Sequence, residues 1–177
     1  YEKTKGAEGK SHKSVRGKAK TVNFASVYGA GAGKIALTLG GTLKEAQKLH
    51  TTYWQRNKAV KEVAENCKVK QIGSKKWILN PVSGFWYSLR AEKDRFSTLN
   101  QGTGVYCFDT YIKYVRQKGI KISLQMHDEI LFRLKKGTEA EVTEKLNEAI
   151  KEVNNEIKLN VPLGISMDYG NSYADCH

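Results

Sequence analysis

The spacing of the apolar residues changes at Gly119, and this change constrains the fold of the chain more than any other feature. From about residue 93 to residue 118 the apolar residues recur at intervals of three and four, which is typical of one long amphipathic helix. Over residues 120–134 they alternate with polar residues, which predicts a β-hairpin whose polar tip is His127-Asp128. A long helix followed by an antiparallel hairpin predicts an α+β fold.

Three helices are predicted before the long one. The first covers about residues 14–28 and ends at a glycine cluster that begins with Gly29. The second begins at Thr42, because Thr42 and Glu45 have the spacing of a capping box. The third covers about residues 59–71. The first half of the chain is therefore expected to be mainly helical.

The remaining elements are a second hairpin, a final helix and a last strand. Residues 76–88 alternate around the turn signal Asn80-Pro81, which predicts a short hairpin. Thr138 and Glu141 have capping-box spacing and introduce an amphipathic helix. We expect residues near 163–169 to form the last strand.

The charge and the cysteine content indicate the class of partner and the compartment. Lys and Arg number 30 against 18 Asp and Glu, and the resulting charge of +12 favours a polyanionic partner such as nucleic acid. No apolar run approaches the roughly 18 residues that a membrane span needs, so no membrane partner is expected. Three widely separated cysteines fit a reducing compartment, and we expect a cytoplasmic protein, in the host cytoplasm if it is viral.

Four residues spaced four apart form one stripe on the first predicted helix: Arg16, Lys20, Phe24 and Tyr28. The stripe is about 18 Å long and presents two cations followed by two aromatic rings. Arginine and lysine bind phosphate oxygens and aromatic rings stack on a base, so the stripe suits a nucleoside triphosphate. The alternative is a solvated basic face whose aromatic residues pack in the core.

The hairpin tip brings adjacent carboxylates together in the sequence His127-Asp128-Glu129. Carboxylates at a sheet edge bind hard divalent cations through oxygen, but two-metal phosphoryl chemistry needs a carboxylate from a separate strand as well. Asp168, on the predicted last strand, is a candidate for that second ligand. The alternative is an exposed turn of the kind that is often rich in Asp.

Two motifs, about a hundred residues apart in this order, carry a resemblance to a known family: Arg16-xxx-Lys20-xxx-Phe24-xxx-Tyr28-Gly29 and His127-Asp128-Glu129. They resemble the second and third signature motifs of family A DNA polymerases, the DNA polymerase I-like enzymes. Gln101-Gly102-Thr103 is similar to the Gln-Gly-Thr of the long palm helix of this family. The final Cys176-His177 is similar to the ending of the phage replicative members.

The resemblance implies roles for the residues of the first motif. Arg16 and Lys20 would bind the phosphates of an incoming deoxynucleoside triphosphate, and Lys20 would also donate a proton to the leaving pyrophosphate. Phe24 and Tyr28 would pack on the sugar and base of that nucleotide. These assignments rest on the match of each position to the family motif.

The resemblance also implies roles for the second half of the chain. Asp128 would be a ligand of Mg²⁺, and Glu129 would lie beside it near the primer end. Gln101 and His127 would contact the minor groove of primer–template DNA. The family usually has Asn where this chain has Ser97, so a contact to the template strand is in doubt.

The resemblance divides the chain into parts of a polymerase. We expect a basic mobile arm over residues 1–12, a helical fingers subdomain with a short hairpin over 13–89, and the C-terminal part of the palm over 90–177, in which a long helix packs on an antiparallel sheet. The first signature motif, with the other metal-binding Asp, is expected before Arg16, in the remainder of the polymerase in the same or a second chain. The chain would then be an incomplete DNA-directed DNA polymerase that adds deoxynucleotides to a primer 3′ end by two-metal phosphoryl transfer. The alternative is a non-catalytic basic module that binds DNA through its charge.

Overall fold

The computed structural model describes the backbone of residues 13–176 and the side chains from Arg16 onward. Helices and two small antiparallel sheets make up this part of the chain, which confirms the α+β class. The chain divides into two compact units, Tyr1–Gly102 and Thr103–His177. The predicted basic arm lies outside the described residues, and the predicted limits of the fingers and palm parts stay a prediction.

The elements follow one another with short connections. The helices are α1 (Lys13–Val27), α2 (Ala32–Leu39), α3 (Leu43–Arg56), α4 (Lys58–Asn66), α5 (Arg95–Gln117) and α6 (Glu139–Ile157). The strands are β1 (Val69–Ile72), β2 (Lys75–Leu79), β3 (Trp86–Leu89), β4 (Ile122–Met126) and β5 (Glu129–Phe132). Helix α5 begins in the first unit and ends in the second.

Helix α1 ends where the sequence predicts it to end. Gly29 has a φ of +72°, a left-handed conformation that glycine adopts without steric cost, and the backbone N–H of Ala30 donates to the carbonyl oxygen of Ala25 at 2.8 Å. Helix α2 nevertheless begins at Ala32, within the glycine cluster, and the sequence did not predict this helix. Ile35 and Ala36 of this helix are buried, and their packing outweighs the low helix propensity of the neighbouring glycines.

The capping box of α3 is confirmed. The Thr42 hydroxyl accepts from the backbone N–H of Glu45 at 3.3 Å, and the Glu45 carboxylate accepts from the backbone N–H of Thr42 at 3.0 Å. The hydrogen bonds that the Thr42 backbone N–H and hydroxyl donate to the Glu45 carboxylate lower the pKa of Glu45. The cap fixes the start of α3, whose Ala46 packs in a small core with Ile35 and Ala36 of α2.

The third predicted helix is wrong in its last turn. Helix α4 ends at Asn66, and residues 69–72 form strand β1 instead. Strand β1 pairs antiparallel with β2, with Val69 opposite Ile78, and β2 pairs with β3 in the predicted hairpin. Because a strand gains its hydrogen bonds from a partner that lies further along the chain, local apolar spacing did not reveal it.

This three-stranded sheet packs one face on α4 and α5. Ile78 and Leu89 are buried there, together with Ala64 and Leu99. Asn80 is fully buried at the turn after β2, and its side-chain amide donates to the carbonyl oxygen of Leu99 at 3.0 Å. The turn is thereby tied to α5.

The second unit has its own core between α5 and α6. The buried members are Tyr111, Val115, Leu146, Ala149 and Val153. Burial raises the pKa of Tyr111 to about 12. At the edge of this core, Lys118 forms ion pairs with Glu148 at 2.9 Å and with Glu152 at 2.8 Å. Ile122 of β4 and Ile130 and Phe132 of β5 pack on the same core, as predicted for the hairpin. The predicted alternation is wrong beyond Ile122, because the register of β4 shifts between Ile122 and Leu124 and the side chains of Leu124 and Met126 are exposed.

Two local expectations for the second unit are wrong. Thr138 precedes α6, but its hydroxyl donates to the carbonyl oxygen of Lys135 and makes no capping bond to the helix. Residues 163–169 run without strand pairing in the part of the chain that the structure describes. Leu163, Ile165 and Met167 still pack on the core, which confirms that alternate residues of this segment face it. The segment has no strand beside it to form backbone hydrogen bonds among the described residues.

Two glycines of α5 give a matched test of the packing of Tyr87 of β3 against α5. A methyl group on Gly102 would lie 2.8 Å from Cζ of Tyr87, whereas one on Gly104 would meet nothing within 4 Å. We expect Gly104→Ala to stabilise the chain by about 0.5–1 kcal/mol through helix propensity, and Gly102→Ala to be about 1–3 kcal/mol less stable than Gly104→Ala. Urea unfolding of the two variants measures the difference, and equal stabilities would contradict the contact between Tyr87 and α5.

Candidate functional site

The predicted stripe lies on the surface of the first unit. Arg16 and Lys20 are exposed, Phe24 is 51% exposed and Tyr28 is 43% exposed. The rings of Phe24 and Tyr28 are nearly parallel, with centroids 6.4 Å apart and an angle of 19° between their planes. The alternative interpretation, in which these rings pack in the core, is therefore wrong.

The opposite side of α1 explains why the stripe stays exposed. Val22 and Ala25 pack against the core formed by α2 and α3, and Ser26 is fully buried. These side chains are small, so the helix lies close to its neighbours along that side. The side that carries the long cations and the rings is left to solvent.

The cations of the stripe are available to an anion. No carboxylate among the described residues forms an ion pair with Arg16 or Lys20. A guanidinium and an ammonium group one helical turn apart can bind successive phosphates, and two exposed rings further along can bind an apolar, planar group. The stripe thus has the chemistry of a site for a phosphorylated aromatic ligand.

Gln101 lies beside the end of the stripe. Its side-chain amide donates to the hydroxyl of Tyr28 at 3.4 Å, and both residues are exposed in the first unit. Sequence reasoning placed Gln101 at a DNA contact and Tyr28 at a nucleotide contact, and the structure brings these two side chains together. A ligand that contacts one of them is therefore within reach of the other.

The hairpin tip is built as the sequence predicts. Met126 of β4 is opposite Glu129 of β5, so His127 and Asp128 form the turn. His127 has a φ of +52°, in the left-handed region that two-residue hairpin turns often require. The side chains of His127 and Asp128 are exposed at this tip.

A cleft of about 510 Å³ lies next to this tip in the second unit. Asp128 and Glu129 line it from the hairpin, and Asp168 lines it from the segment after α6. Phe108 and Tyr111 of α5 contribute an apolar wall. The three carboxylate residues that sequence reasoning singled out therefore share one cleft, although residues 163–169 are not a paired strand.

The carboxylates of this cleft have the chemistry that a hard cation needs, but too few of them are close together to hold one. Carboxylate oxygens are the ligands that Mg²⁺ prefers. Within residues 16–176, however, no group of three or more His, Cys, Asp or Glu side chains is arranged to hold a metal ion. The described residues offer part of a ligand set, in which Asp128 and Asp168 are exposed and Glu129 is half-buried.

A second cleft, of about 550 Å³, lies in the first unit and was not predicted. Its wall includes Gly29 after α1, Trp54 of α3, and Lys93 and Phe96 near the start of α5. Each element contributes only a few residues, so no single segment of the sequence signals the cleft. The Trp54 ring is held in place because its N–H donates to Nε2 of His50 at 3.1 Å.

Ser97, the departure from the family pattern, and Ser172, near the end of the chain, both make local hydrogen bonds. The Ser97 hydroxyl donates to the carbonyl oxygen of Asp94 at 3.0 Å, in the first turn of α5. Near the end of the chain, hydrogen bonds from the Ser172 hydroxyl and from the backbone N–H groups of Ser172 and Asn171 lower the pKa of Asp175. Both serines thus form local bonds to nearby oxygen atoms.

The described residues contain no helix that is both long and apolar enough to span a bilayer.

The sequence profile of DNA polymerase family A matches residues 3–175. A curated relative, DNA polymerase I of Treponema pallidum (strain Nichols), is 26% identical in an alignment 175 residues long that covers 90% of this chain and 17% of the relative. The chain thus spans about a sixth of the length of that relative.

A solved structure has the same fold. It is the POL domain of Pol1 from M. smegmatis, in complex with DNA primer-template and dNTP, with a TM-score of 0.72 at 22% identity. The similarity covers 91% of this chain and 31% of that one. The match of the family profile to nearly all of the sequence establishes that this chain belongs to DNA polymerase family A.

Proposed function

We propose that these residues form the C-terminal part of a template-directed DNA polymerase that adds deoxynucleotides to a primer 3′ end. The observation that carries the proposal is the exposure of all four stripe residues, three on α1 and Tyr28 directly after it, with the two cations followed by two nearly parallel rings. Membership of family A supports the same chemistry. The first metal-binding Asp, the thumb and any exonuclease part would belong to the remainder of the polymerase.

The stripe binds the incoming deoxynucleoside triphosphate in this proposal. Arg16 and Lys20 hold the phosphates through charge-assisted hydrogen bonds, and Phe24 and Tyr28 pack on the sugar and base. The primer 3′-hydroxyl gives its proton to solvent water and its oxygen attacks the α-phosphorus, and the bond from that phosphorus to the bridging oxygen breaks as pyrophosphate leaves. Lys20 donates a proton to the leaving pyrophosphate, which lowers the negative charge that develops there.

Asp128 holds Mg²⁺ in this proposal, and Glu129 lies next to the primer end. When bound, the metal ions stabilise the attacking and leaving oxygens of an in-line displacement. Asp168 lines the same cleft as Asp128 and is a further oxygen donor there. The remaining ligand comes from the part of the polymerase that precedes Arg16.

Gln101 and His127 contact the minor groove of the primer–template DNA in this proposal. Gln101 is supported by the exposure of its side chain on α5, where its amide reaches the Tyr28 hydroxyl. His127 is supported by its exposed place at the hairpin tip. The overall charge of +12 adds attraction to the DNA backbone that is independent of sequence.

The first prediction about activity concerns Asp128→Asn in the complete polymerase. Loss of a metal ligand should cost several kcal/mol of transition-state stabilisation, at least about a thousandfold in extension rate. DNA affinity should be unchanged or higher, because a carboxylate near phosphates is removed. Primer extension and gel-shift assays measure the two effects, with Asp109→Asn, an exposed change on α5, as the control. A parallel loss of binding and activity would favour the non-catalytic DNA-binding alternative or a misfolded hairpin.

The second prediction compares two exposed lysines of α1. Lys20→Ala should raise the KM for nucleotide and lower the rate, because it removes a charge-assisted contact worth roughly 1.5–3 kcal/mol. Lys18→Ala removes the same charge two residues away, off the stripe, and should leave nucleotide use nearly unchanged. Steady-state extension at varied nucleotide concentration separates the variants. Equal effects of the two changes would mean that only net charge matters.

The third prediction concerns Phe24→Tyr. A phenylalanine against the sugar cannot hydrogen-bond, so a dideoxynucleotide leaves a polar gap that costs about 1–3 kcal/mol, or roughly fivefold to a hundredfold in selectivity. The tyrosine hydroxyl should fill the gap and relax the rejection of dideoxynucleotides while normal incorporation changes little. Chain termination at matched concentrations measures this. Unaltered selectivity would mean that Phe24 does not face the sugar.

A further inference from the structure

The three-stranded sheet of the first unit has a face that points away from its core. Paired residues of adjacent strands share a face, and residues two apart on one strand share it as well. Ile78 and Leu89 are on the buried face, so the register gives the members of the other one. This tryptophan face consists of Lys70, Ile72, Lys75, Trp77, Leu79, Trp86 and Ser88.

The tryptophan face is aromatic and in contact with solvent. Trp77 and Trp86 are only partly buried, and neither packs on the buried cluster beneath the sheet. Ile72 is 61% exposed. The ammonium group of Lys70 lies 4.0 Å from the centroid of the Trp86 ring, so the flat side of that ring is turned towards a cation on the surface. Two large rings on one exposed sheet face indicate a binding surface.

The charge of this face has one sign. Its seven members include two lysines and no carboxylate. On the opposite face Lys76 is neutralised by Glu92 at 2.7 Å, whereas no ion pair in residues 16–176 involves Lys70 or Lys75. The face therefore attracts anions, and its rings accept planar apolar groups.

We propose that the tryptophan face binds single-stranded DNA. Unpaired bases expose their flat sides, and exposed aromatic rings on a β-sheet stack with them while lysines bind the phosphates between. A duplex hides those flat sides, so the rings add nothing to duplex binding. The identification of this strand as the template ahead of the primer rests on the proposed function, but the binding itself does not.

The fluorescence of the tryptophans themselves can be used to measure binding. The chain has three tryptophans, and the third, Trp54, lies on α3. In a Trp54→Phe background of the 177-residue chain, fluorescence reports only on Trp77 and Trp86. Titration with an oligothymidylate should quench this emission through stacking. Trp86→Leu and Trp77→Leu in the same chain, followed by the anisotropy of a labelled oligothymidylate, should each weaken binding at least about fivefold.

The lysine contribution is tested through its dependence on salt. Lys70→Gln should reduce the slope of log K against log salt concentration by about 0.7, the value for one phosphate contact to a single strand. Lys58→Gln, an equal charge loss at an exposed position of α4, is the matched control and should leave the slope unchanged. Far-ultraviolet circular dichroism identifies any variant that fails to fold, and the Lys70 and Lys58 pair tests the proposal on surface residues alone.

Three outcomes would overturn the proposal. The first is unquenched tryptophan emission at saturating oligothymidylate, which would mean that another protein segment covers the face. The second is an equal loss of affinity for single-stranded and duplex DNA in the tryptophan variants. The third is an equal salt slope for the Lys70 and Lys58 variants. None of these bears on the α1 stripe, so nucleotide incorporation by the Trp86→Leu polymerase on a short template distinguishes this failure from failure of the proposed function.

Discussion

The packing of α1 by its small side chains is the constraint on which the candidate nucleotide site depends. Val22, Ala25 and Ser26 bring the helix close to α2 and α3. This packing turns the side of the helix that carries Arg16, Lys20 and Phe24 towards solvent. The helix ends at Val27, and Tyr28 occupies the turn between the helix and the left-handed Gly29.

Helix α5 has a comparable role for the rest of the chain, because each half belongs to a different core. Leu99 packs beneath the three-stranded sheet, and its carbonyl oxygen holds buried Asn80. Tyr111 and Val115 pack on α6 in the second unit. Between these two regions lies Gln101, whose amide contacts Tyr28. The side chain with a proposed DNA contact therefore lies on the part of α5 that packs in the core of the first unit.

The sequence predicted what depends on local pattern and missed what depends on distant partners. Helix α1, the Thr42 cap, the long helix and the hairpin tip are all encoded within short segments, and the structure confirms them. Strand β1 depends on pairing with β2, and helix α2 depends on burial of Ile35 and Ala36, so neither followed from propensity. Thr138 has capping-box spacing but bonds backward to Lys135, because spacing does not determine which oxygen a hydroxyl reaches.

The left-handed backbone conformation of His127 is unfavourable for the residue type that occupies this turn. A non-glycine residue in the left-handed region costs about 1 kcal/mol, and Gly, Asn or Asp would close the same turn with less strain. The hairpin therefore has a less stable turn at the residue that presents an imidazole next to the carboxylate of Asp128, so replacing His127 with glycine would stabilise the turn and remove the imidazole at once.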